Sequence, residues 1–230
     1  MNASPTLDPA VQALLEREGL SLVRDNGGLA LTDGTMTVRG DFSRMKARIK
    51  PQALNRELIV RAARIKGERD GLTLFDATAG LGEDSLLLAA AGFGITLYER
   101  NAVIAALLQD AISRAADDPD FAHAASRMHA FTGDSVQALR QLDQPPDVVL
   151  LDPMFPGRQK SAAVKKKLQL LQRLEQPCED EQALLDAAFA AQPRKVIVKR
   201  PAKGPYLADR KPDYSLAGKA IRFDCFSIAR

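Results

Sequence analysis

The stretch Leu72-Thr73-Leu74-Phe75-Asp76-Ala77-Thr78-Ala79-Gly80-Leu81-Gly82-Glu83-Asp84-Ser85, running on into Leu86-Leu87-Leu88-Ala89-Ala90-Ala91, decides how the rest of the chain is read. A short apolar run is followed by a glycine turn and then by a helix-like apolar segment. Strand, glycine turn and helix is the context that a nucleotide-binding loop requires. Gly80 and Gly82 allow positive φ and let the backbone approach a ligand closely. The next run, Gly94-Ile95-Thr96-Leu97-Tyr98-Glu99, ends in an acid 19 residues after Gly80. A carboxylate there can take both hydroxyls of a ribose. Helix 84–91, strand 94–98, helix 101–115, strand 127–132, helix 135–142 and strand 147–151 then alternate regularly, which predicts a mainly parallel, doubly wound α/β sheet.

The loop also says which nucleotide. A dinucleotide fingerprint would want a third Gly or Ala where Ser85 stands, and its helix N-terminus would hold a pyrophosphate. Here the turn carries Glu83 and Asp84, which repel a pyrophosphate and suit a cationic or zwitterionic ligand. S-adenosylmethionine, with a sulfonium and an amino group, fits better than NAD. Asp76, Gly80, Gly82, Glu83, Asp84 and Glu99 are the candidate contacts. A further constellation, Thr132-Gly133-Asp134-Ser135, falls at the end of a strand and opens a helix. Asp134 and Ser135 can bond an adenine edge there, or one of them can simply cap the helix.

The second decisive segment is Asp147-Val148-Val149-Leu150-Leu151-Asp152-Pro153-Met154-Phe155-Pro156. It reads as a buried parallel strand ending in an acid, a proline and an aromatic. Ligands in open α/β sheets sit outside the carboxyl ends of the strands. At that edge Asp152 and the Pro153 carbonyl can each accept from an N–H, and Phe155 can stack on a ring. This is a site for holding an exocyclic amine.

Around this core, Leu7 to Glu18 has helical spacing and Leu20 to Arg39 alternates through glycine turns like hairpin strands. Residues 1–50 are expected to form a small N-terminal appendage, and 51–230 the main domain. Pro51 to Ile65 is expected to be one helix. Helices near 164–175 and 179–191 precede strand Lys195–Lys199. A final strand pair, around Tyr214–Leu216 and Ile221–Ile228, would make one edge antiparallel and complete a seven-stranded sheet.

The chain has 230 residues, an apolar fraction of 46% and a net charge of only +3. No run of about 18 apolar residues predicts a membrane span. The N-terminus lacks the pattern of a signal peptide. Cys178 and Cys225 have no ligand spacing and read as free thiols of a cytoplasmic protein. With His123 and His129 the only histidines, no metal site is expected. The charge is unevenly placed. Residues 39–66 hold nine basic side chains against two acids, residues 158–174 hold six against none, and residues 194–211 hold seven against one. Three such clusters are the footprint expected of a polyanion partner. Arg158, Lys160, Lys165, Lys166, Lys167, Lys199 and Arg200 lie close enough in sequence to the amine motif or to the sheet edge to be candidate RNA contacts.

With these residues in view, the chain resembles the RsmJ family of bacterial small-subunit ribosomal RNA guanine-N2 methyltransferases. The resemblance runs from about Arg61 to Phe226. It is carried by Asp76-Ala77-Thr78-Ala79-Gly80-Leu81-Gly82, Glu99-Arg100-Asn101, Leu151-Asp152-Pro153-Met154-Phe155-Pro156, Gln159-Lys160-Ser161-Ala162, Val164-Lys165-Lys166, Val198-Lys199-Arg200-Pro201 and Arg222-Phe223-Asp224. It implies a Rossmann-like class I methyltransferase fold, S-adenosylmethionine as donor, and methylation of guanine 1516 of 16S rRNA within the small ribosomal subunit. It also implies a donor site lined by Glu83-Asp84, Glu99-Arg100, Asp134-Ser135 and Asp152. Three alternatives remain open at this point. One is an amino-methyltransferase acting on DNA adenine or protein glutamine. The others are a dehydrogenase and a non-catalytic RNA-binding module.

Overall fold

The structure, a computed structural model, describes residues 8–68, 71–153, 170–171, 173–174 and 180–228. Helix α1 (Pro9–Arg17) starts at Asp8, whose side chain accepts from the Ala10 N–H, with proline in the first turn. Strands β1 (Ser21–Asp25), β2 (Gly28–Thr32) and β3 (Thr37–Val38) form an antiparallel three-stranded sheet in the order β1-β2-β3. The stretch expected as one helix over 51–65 is instead broken into α2 (Pro51–Leu54) and α3 (Leu58–Ala63). The break falls at Glu57, which is extended at φ −62° and ψ 127°. Arg48 holds its carboxylate there through hydrogen bonds of 2.7 and 2.8 Å. That pair holds the Glu57 side chain at the break between the two helices.

The main sheet then builds in sequence: β4 (Thr73–Asp76), α4 (Glu83–Ala90), β5 (Gly94–Glu99), α5 (Ala102–Ala116), α6 (Ala122–Ala125), β6 (Met128–Thr132), α7 (Ser135–Arg140), β7 (Val148–Leu151), α8 (Glu181–Ala190), β8 (Lys195–Pro201), β9 (Tyr214–Ala217) and β10 (Ile221–Ser227). The expected helix near 164–175 lies largely outside the described residues. The spatial order is β6-β5-β4-β7-β8-β10-β9. The first five of these strands pair in parallel, while β10 runs antiparallel to both β8 and β9. The seven-stranded sheet with one antiparallel edge is therefore present as the sequence predicts.

Hydrophobic burial explains why these runs are strands. All four residues of β7 are buried, as a strand covered on both faces by helices requires. Leu86, Leu87 and Leu88 of α4 are fully buried and pack into one core layer with Ile59, Val60, Phe93 and Ile95. A second layer, with Phe75, Val149, Leu185 and Val196, fills the other face. The strand order reverses between β4 and β7, so the carboxyl ends of these neighbours diverge into a crevice. Asp147 fixes their register, accepting from the Thr73 N–H at 2.9 Å.

The three-stranded sheet is tied to the main one through α5. Leu15, Leu22, Leu29 and Leu31 pack with Val103, Ile104 and Leu107. A buried carboxylate, Asp110, completes the joint. It accepts from Arg24 Nη1 at 2.7 Å, from the Leu29 N–H at 3.0 Å and from Arg114 Nε at 2.8 Å. Its side chain is only 6% exposed, and burial alone would raise its pKa. The hydrogen bonds from Arg114, Leu29 and Arg24 outweigh that and hold it below the ordinary aspartate value.

Asp110→Ala should therefore cost about 2 kcal/mol, the penalty of leaving a buried donor unsatisfied and two guanidinium groups unpaired. Because the folded pKa is depressed, the contribution of Asp110 is complete above the ordinary aspartate range and disappears as pH falls through the lower folded value. Denaturant melts of wild type and variant should differ at neutral pH and converge in acid. An unchanged midpoint at neutral pH would remove Asp110 as the joint.

Candidate active site

The described side chains of the candidate site gather at the carboxyl edge of the main sheet. Asp76 closes β4 and is buried. Its Oδ2 accepts from Ser85 Oγ at 2.5 Å and its Oδ1 from the Thr78 N–H at 3.1 Å. Burial dominates these bonds and pushes its carboxyl up to about 7. Ser85 stands where a dinucleotide loop would want a small residue, and here its hydroxyl serves the buried acid. Thr78 reaches the other way. Its Oγ1 accepts from the Asp152 N–H at 2.6 Å, tying the end of β7 to the loop after β4.

The glycines do different work. Gly82 has φ +76°, and a Cβ there would stand 2.5 Å from Leu108 Cδ1, so this glycine permits close packing of the loop on α5. Gly80 has φ +53° and faces open space where a Cβ would be. Beside that opening lies Glu99, at the end of β5. It accepts from the Gly80 N–H at 2.9 Å and from the Asn101 N–H at 2.8 Å. Burial pushes the Glu99 carboxyl up against the pull of these N–H groups. Each oxygen retains a lone pair for a hydroxyl.

Lys199 of β8 joins two further acids. Its Nζ lies 2.6 Å from Asp84 Oδ2 and 2.7 Å from Asp152 Oδ2. Burial opposes the charge on Lys199, yet Asp152 and Asp84 outweigh it and hold the amine above the ordinary lysine range. The Asp152 side chain keeps 39% of its surface exposed, but the protein packed around it still raises its pKa, with Lys199 pulling the other way. Pro153 follows and is buried.

The remaining candidates fall into three groups. Asp134 caps α7, its Oδ1 accepting from Val136 N–H at 2.8 Å and Gln137 N–H at 3.4 Å, with Ser135 beside it at the same sheet edge. Glu83 and Arg100 are exposed at the cleft rim. Phe155, Arg158, Lys160, Lys165, Lys166 and Lys167 lie outside the described residues. Two expected RNA contacts sit elsewhere than on an open surface. Lys199 is spent on the two acids, and Arg200 is buried, donating from Nε to the Pro205 carbonyl at 2.9 Å with Nη1 3.6 Å from Glu181. The first basic cluster is also partly spent, since Arg39 pairs with Asp25, Lys46 with Asp120 and Arg48 with Glu57.

Three features of the site escape sequence reasoning. Thr78 and Ser85 look like ordinary loop residues until their hydroxyls are placed. Lys199 looks like an RNA contact, although a lysine ending the apolar run Val196-Ile197-Val198 is itself a sign of a buried cation at a strand terminus. A ring stack is the third. Phe75, Tyr98 and Phe131 lie in succession across β4, β5 and β6, with centroids 5.1 and 5.4 Å apart and interplanar angles of 13° and 21°.

The donor chemistry fits a cationic ligand. Asp76, Asp84, Glu99 and Asp152 meet at one edge, where Lys199 lies between two of them, and Gly80 leaves room for a ligand to pass. No cluster of side chains suited to a metal ion occurs among the described residues. Nor is any helix among them long and apolar enough to cross a membrane.

Comparison with known proteins agrees with this geometry. A family model described as a putative SAM-dependent methyltransferase matches residues 9–228. The ribosomal RNA small subunit methyltransferase J of Thioalkalivibrio sulfidiphilus is 42% identical, over 90% of this chain and 84% of that protein. The protein of the same name from Pseudomonas fluorescens is 37% identical, over 95% and 90% respectively. Its counterpart in Pseudomonas aeruginosa reaches 49% over 66% of this chain, a match spanning 59% of that relative. Among solved structures, a SAM-dependent methyltransferase from Neisseria gonorrhoeae superimposes with a TM-score of 0.73 at 30% identity, covering 98% of this chain and 94% of that one. The chain belongs to the ribosomal RNA small subunit methyltransferase J family of SAM-dependent methyltransferases.

Proposed function

We propose that this protein methylates the exocyclic N2 of a guanine in small-subunit ribosomal RNA, guanine 1516 of 16S rRNA by its resemblance to the RsmJ family, with S-adenosylmethionine as donor. The observation that carries the reading is the placing of Asp152-Pro153 at the end of β7, hydrogen-bonded through Thr78 to the glycine loop after β4. An amine held by the first is thereby brought beside a ligand held by the second. The names of the relatives support ribosomal RNA of the small subunit as the substrate, and such a substrate puts the protein in the cytoplasm.

The donor supplies a methyl group on a sulfonium, a centre open to in-line displacement with a leaving thioether that needs no acid. Everything else falls to the chain, whose task is chiefly positioning. Glu99 takes the ribose hydroxyls, already oriented by the Gly80 and Asn101 N–H groups. Asp134 has Oδ2 for the adenine amine while Oδ1 caps α7, and Ser135, Arg100 and Glu83 line the same rim. Asp84 and Asp76 supply the negative field that a sulfonium and an ammonium favour. Asp152 and the Pro153 carbonyl accept from the two N–H groups of guanine N2. That favours a more pyramidal nitrogen and stabilises the positive charge that grows on it. Phe155 stacks on a base turned out of its helix. Arg158, Lys160 and Lys165 to Lys167 supply positive charge for the RNA backbone.

Asp152→Asn should fold normally and lose about 10²–10³ in single-turnover methyl transfer at saturating donor, the scale of losing one electrostatic contact to the reacting group. A near wild-type rate would refute the amine assignment. Glu99→Gln should weaken donor binding about tenfold or more, since a charged acceptor is worth roughly 1.5–3 kcal/mol per hydrogen bond. Calorimetry returning the wild-type affinity would remove the ribose role. Replacing Lys165, Lys166 and Lys167 by Ala should raise the Michaelis constant for RNA and reduce the log–log salt slope by roughly 0.7–0.9 per lost phosphate contact. A slope equal to wild type would make those lysines an ordinary solvated face. Labelled donor offered to ribosomal RNA and to DNA in parallel tests the substrate class itself.

A further inference from the structure

We propose that Lys199 is a positioning residue for methyl transfer, holding the Asp152 carboxylate in place for the substrate amine and tying it to Asp84 at the start of α4. The inference rests on the reading of Asp152 as the acceptor of that amine. Its basis is geometric. In the parallel pairing of β7 with β8, Leu151 stands opposite Val198. Asp152 and Lys199 are therefore the next residues along two adjacent strands, at the sheet edge where the crevice opens. The Lys199 ammonium lies 2.7 Å from Asp152 Oδ2 and 2.6 Å from Asp84 Oδ2. Two of its three donors are thus committed. Asp152 is held a second time through its own N–H, which donates to Thr78 Oγ1 at 2.6 Å. A carboxylate fixed at the backbone and at Oδ2 has its second oxygen, Oδ1, to offer to an N–H.

The charges around Asp152 explain why a lysine is needed. Burial raises the pKa of Asp152 and the Asp84 carboxylate adds to it, while Lys199 is the principal counterweight and Arg200 a weaker one. Asp76, itself pushed up to about 7, completes the set of acids at this edge. Without Lys199 two carboxylates would face each other across a few ångströms with nothing between them, and Asp152 would take up a proton. A protonated carboxyl cannot stabilise the positive charge growing on the amine. A lysine already shared by two acids is also poorly placed to neutralise an RNA phosphate.

The test is the pH dependence of single-turnover methyl transfer to small-subunit ribosomal RNA at saturating donor, in wild type, Lys199→Met, Lys199→Arg and Asp84→Asn. Lys199→Met should lose about a hundredfold at neutral pH, the scale of a misplaced reacting group. Its acid limb should move to higher pH, because the group that lowers the Asp152 pKa is gone. Asp84→Asn removes a group that raises it, so that acid limb should move to lower pH. Lys199→Arg should recover most of the rate. The RNA salt slope should stay at the wild-type value in Lys199→Met. A variant that keeps the wild-type rate and profile but shows a raised RNA Michaelis constant and a shallower salt slope would make Lys199 a phosphate contact and overturn the proposal. Loss of rate with an unmoved acid limb and no rescue by arginine would make it merely structural, and the proposal would fall equally. If Lys199→Met fails to fold, the limbs of Lys199→Arg and Asp84→Asn decide alone, and an unshifted Asp84→Asn limb counts against the proposal. Failure of the wild type to methylate the RNA would instead overturn the functional reading beneath it.

Discussion

The parallel pairing of β4 with β7 is the constraint on which the site depends. Strands with a side-chain period of two leave no freedom in register, because a slip by one residue would turn every side chain to the opposite face. Here Asp147 holds the register at one end through the Thr73 N–H and Thr78 holds it at the other through the Asp152 N–H. Between those pins, Phe75 and Val149 fill one core layer and Leu74, Val148 and Leu150 the other. Asp76, the last residue of β4 opposite Leu150, and Asp152, the first residue after β7, are therefore brought to the same edge of the sheet. Lys199 reaches Asp152 because β8 extends the same parallel ladder.

Concentrating carboxylates at one buried edge has a thermodynamic cost that the fold only partly offsets. Asp76, Glu99 and Asp152 all have their carboxyls raised by burial. A raised carboxyl pKa means that the folded state holds its proton more tightly than the unfolded chain does. For Asp76 the resulting destabilisation is absent below the ordinary aspartate range and complete above its folded value of about 7. Backbone N–H groups, Ser85 and Lys199 reduce this cost without removing it. The Asp110 joint has the opposite sign, with its carboxyl lowered by arginines. Asp110 thus stabilises the joint between the two sheets while the raised acids of the cleft destabilise, as expected where function rather than stability selects the residues.

Much of this is legible in the residues. The period and punctuation of the chain locate every strand of the main sheet to within a residue or two, because buried parallel strands are short apolar runs with little else to imitate them. The glycine loop, Glu99 and Asp152 can be placed at one edge from strand order alone. What cannot be read is which partner each charge chooses. Lys199 and Arg200 count as part of a basic cluster, yet one faces two acids and the other is buried against Pro205 and Glu181. Those choices are made by side chains that the fold brings together, in the case of Lys199 and Asp84 from 115 positions apart, and no local pattern encodes them. The break at Glu57 is hidden as well, since the helical spacing of 51–65 runs through it without a glycine or proline to mark it.

The stack of Phe75, Tyr98 and Phe131 has an optical consequence. The chain contains no tryptophan and only three tyrosines. Ultraviolet emission from the folded protein therefore comes from tyrosine, with no indole to drain it by energy transfer. Tyr206 and Tyr214 are exposed, whereas Tyr98 lies between two phenyl rings and immediately precedes Glu99. One of three intrinsic fluorophores is thus held in a ring stack on the sheet, one residue before Glu99, so its emission reports the packing of the sheet at that edge.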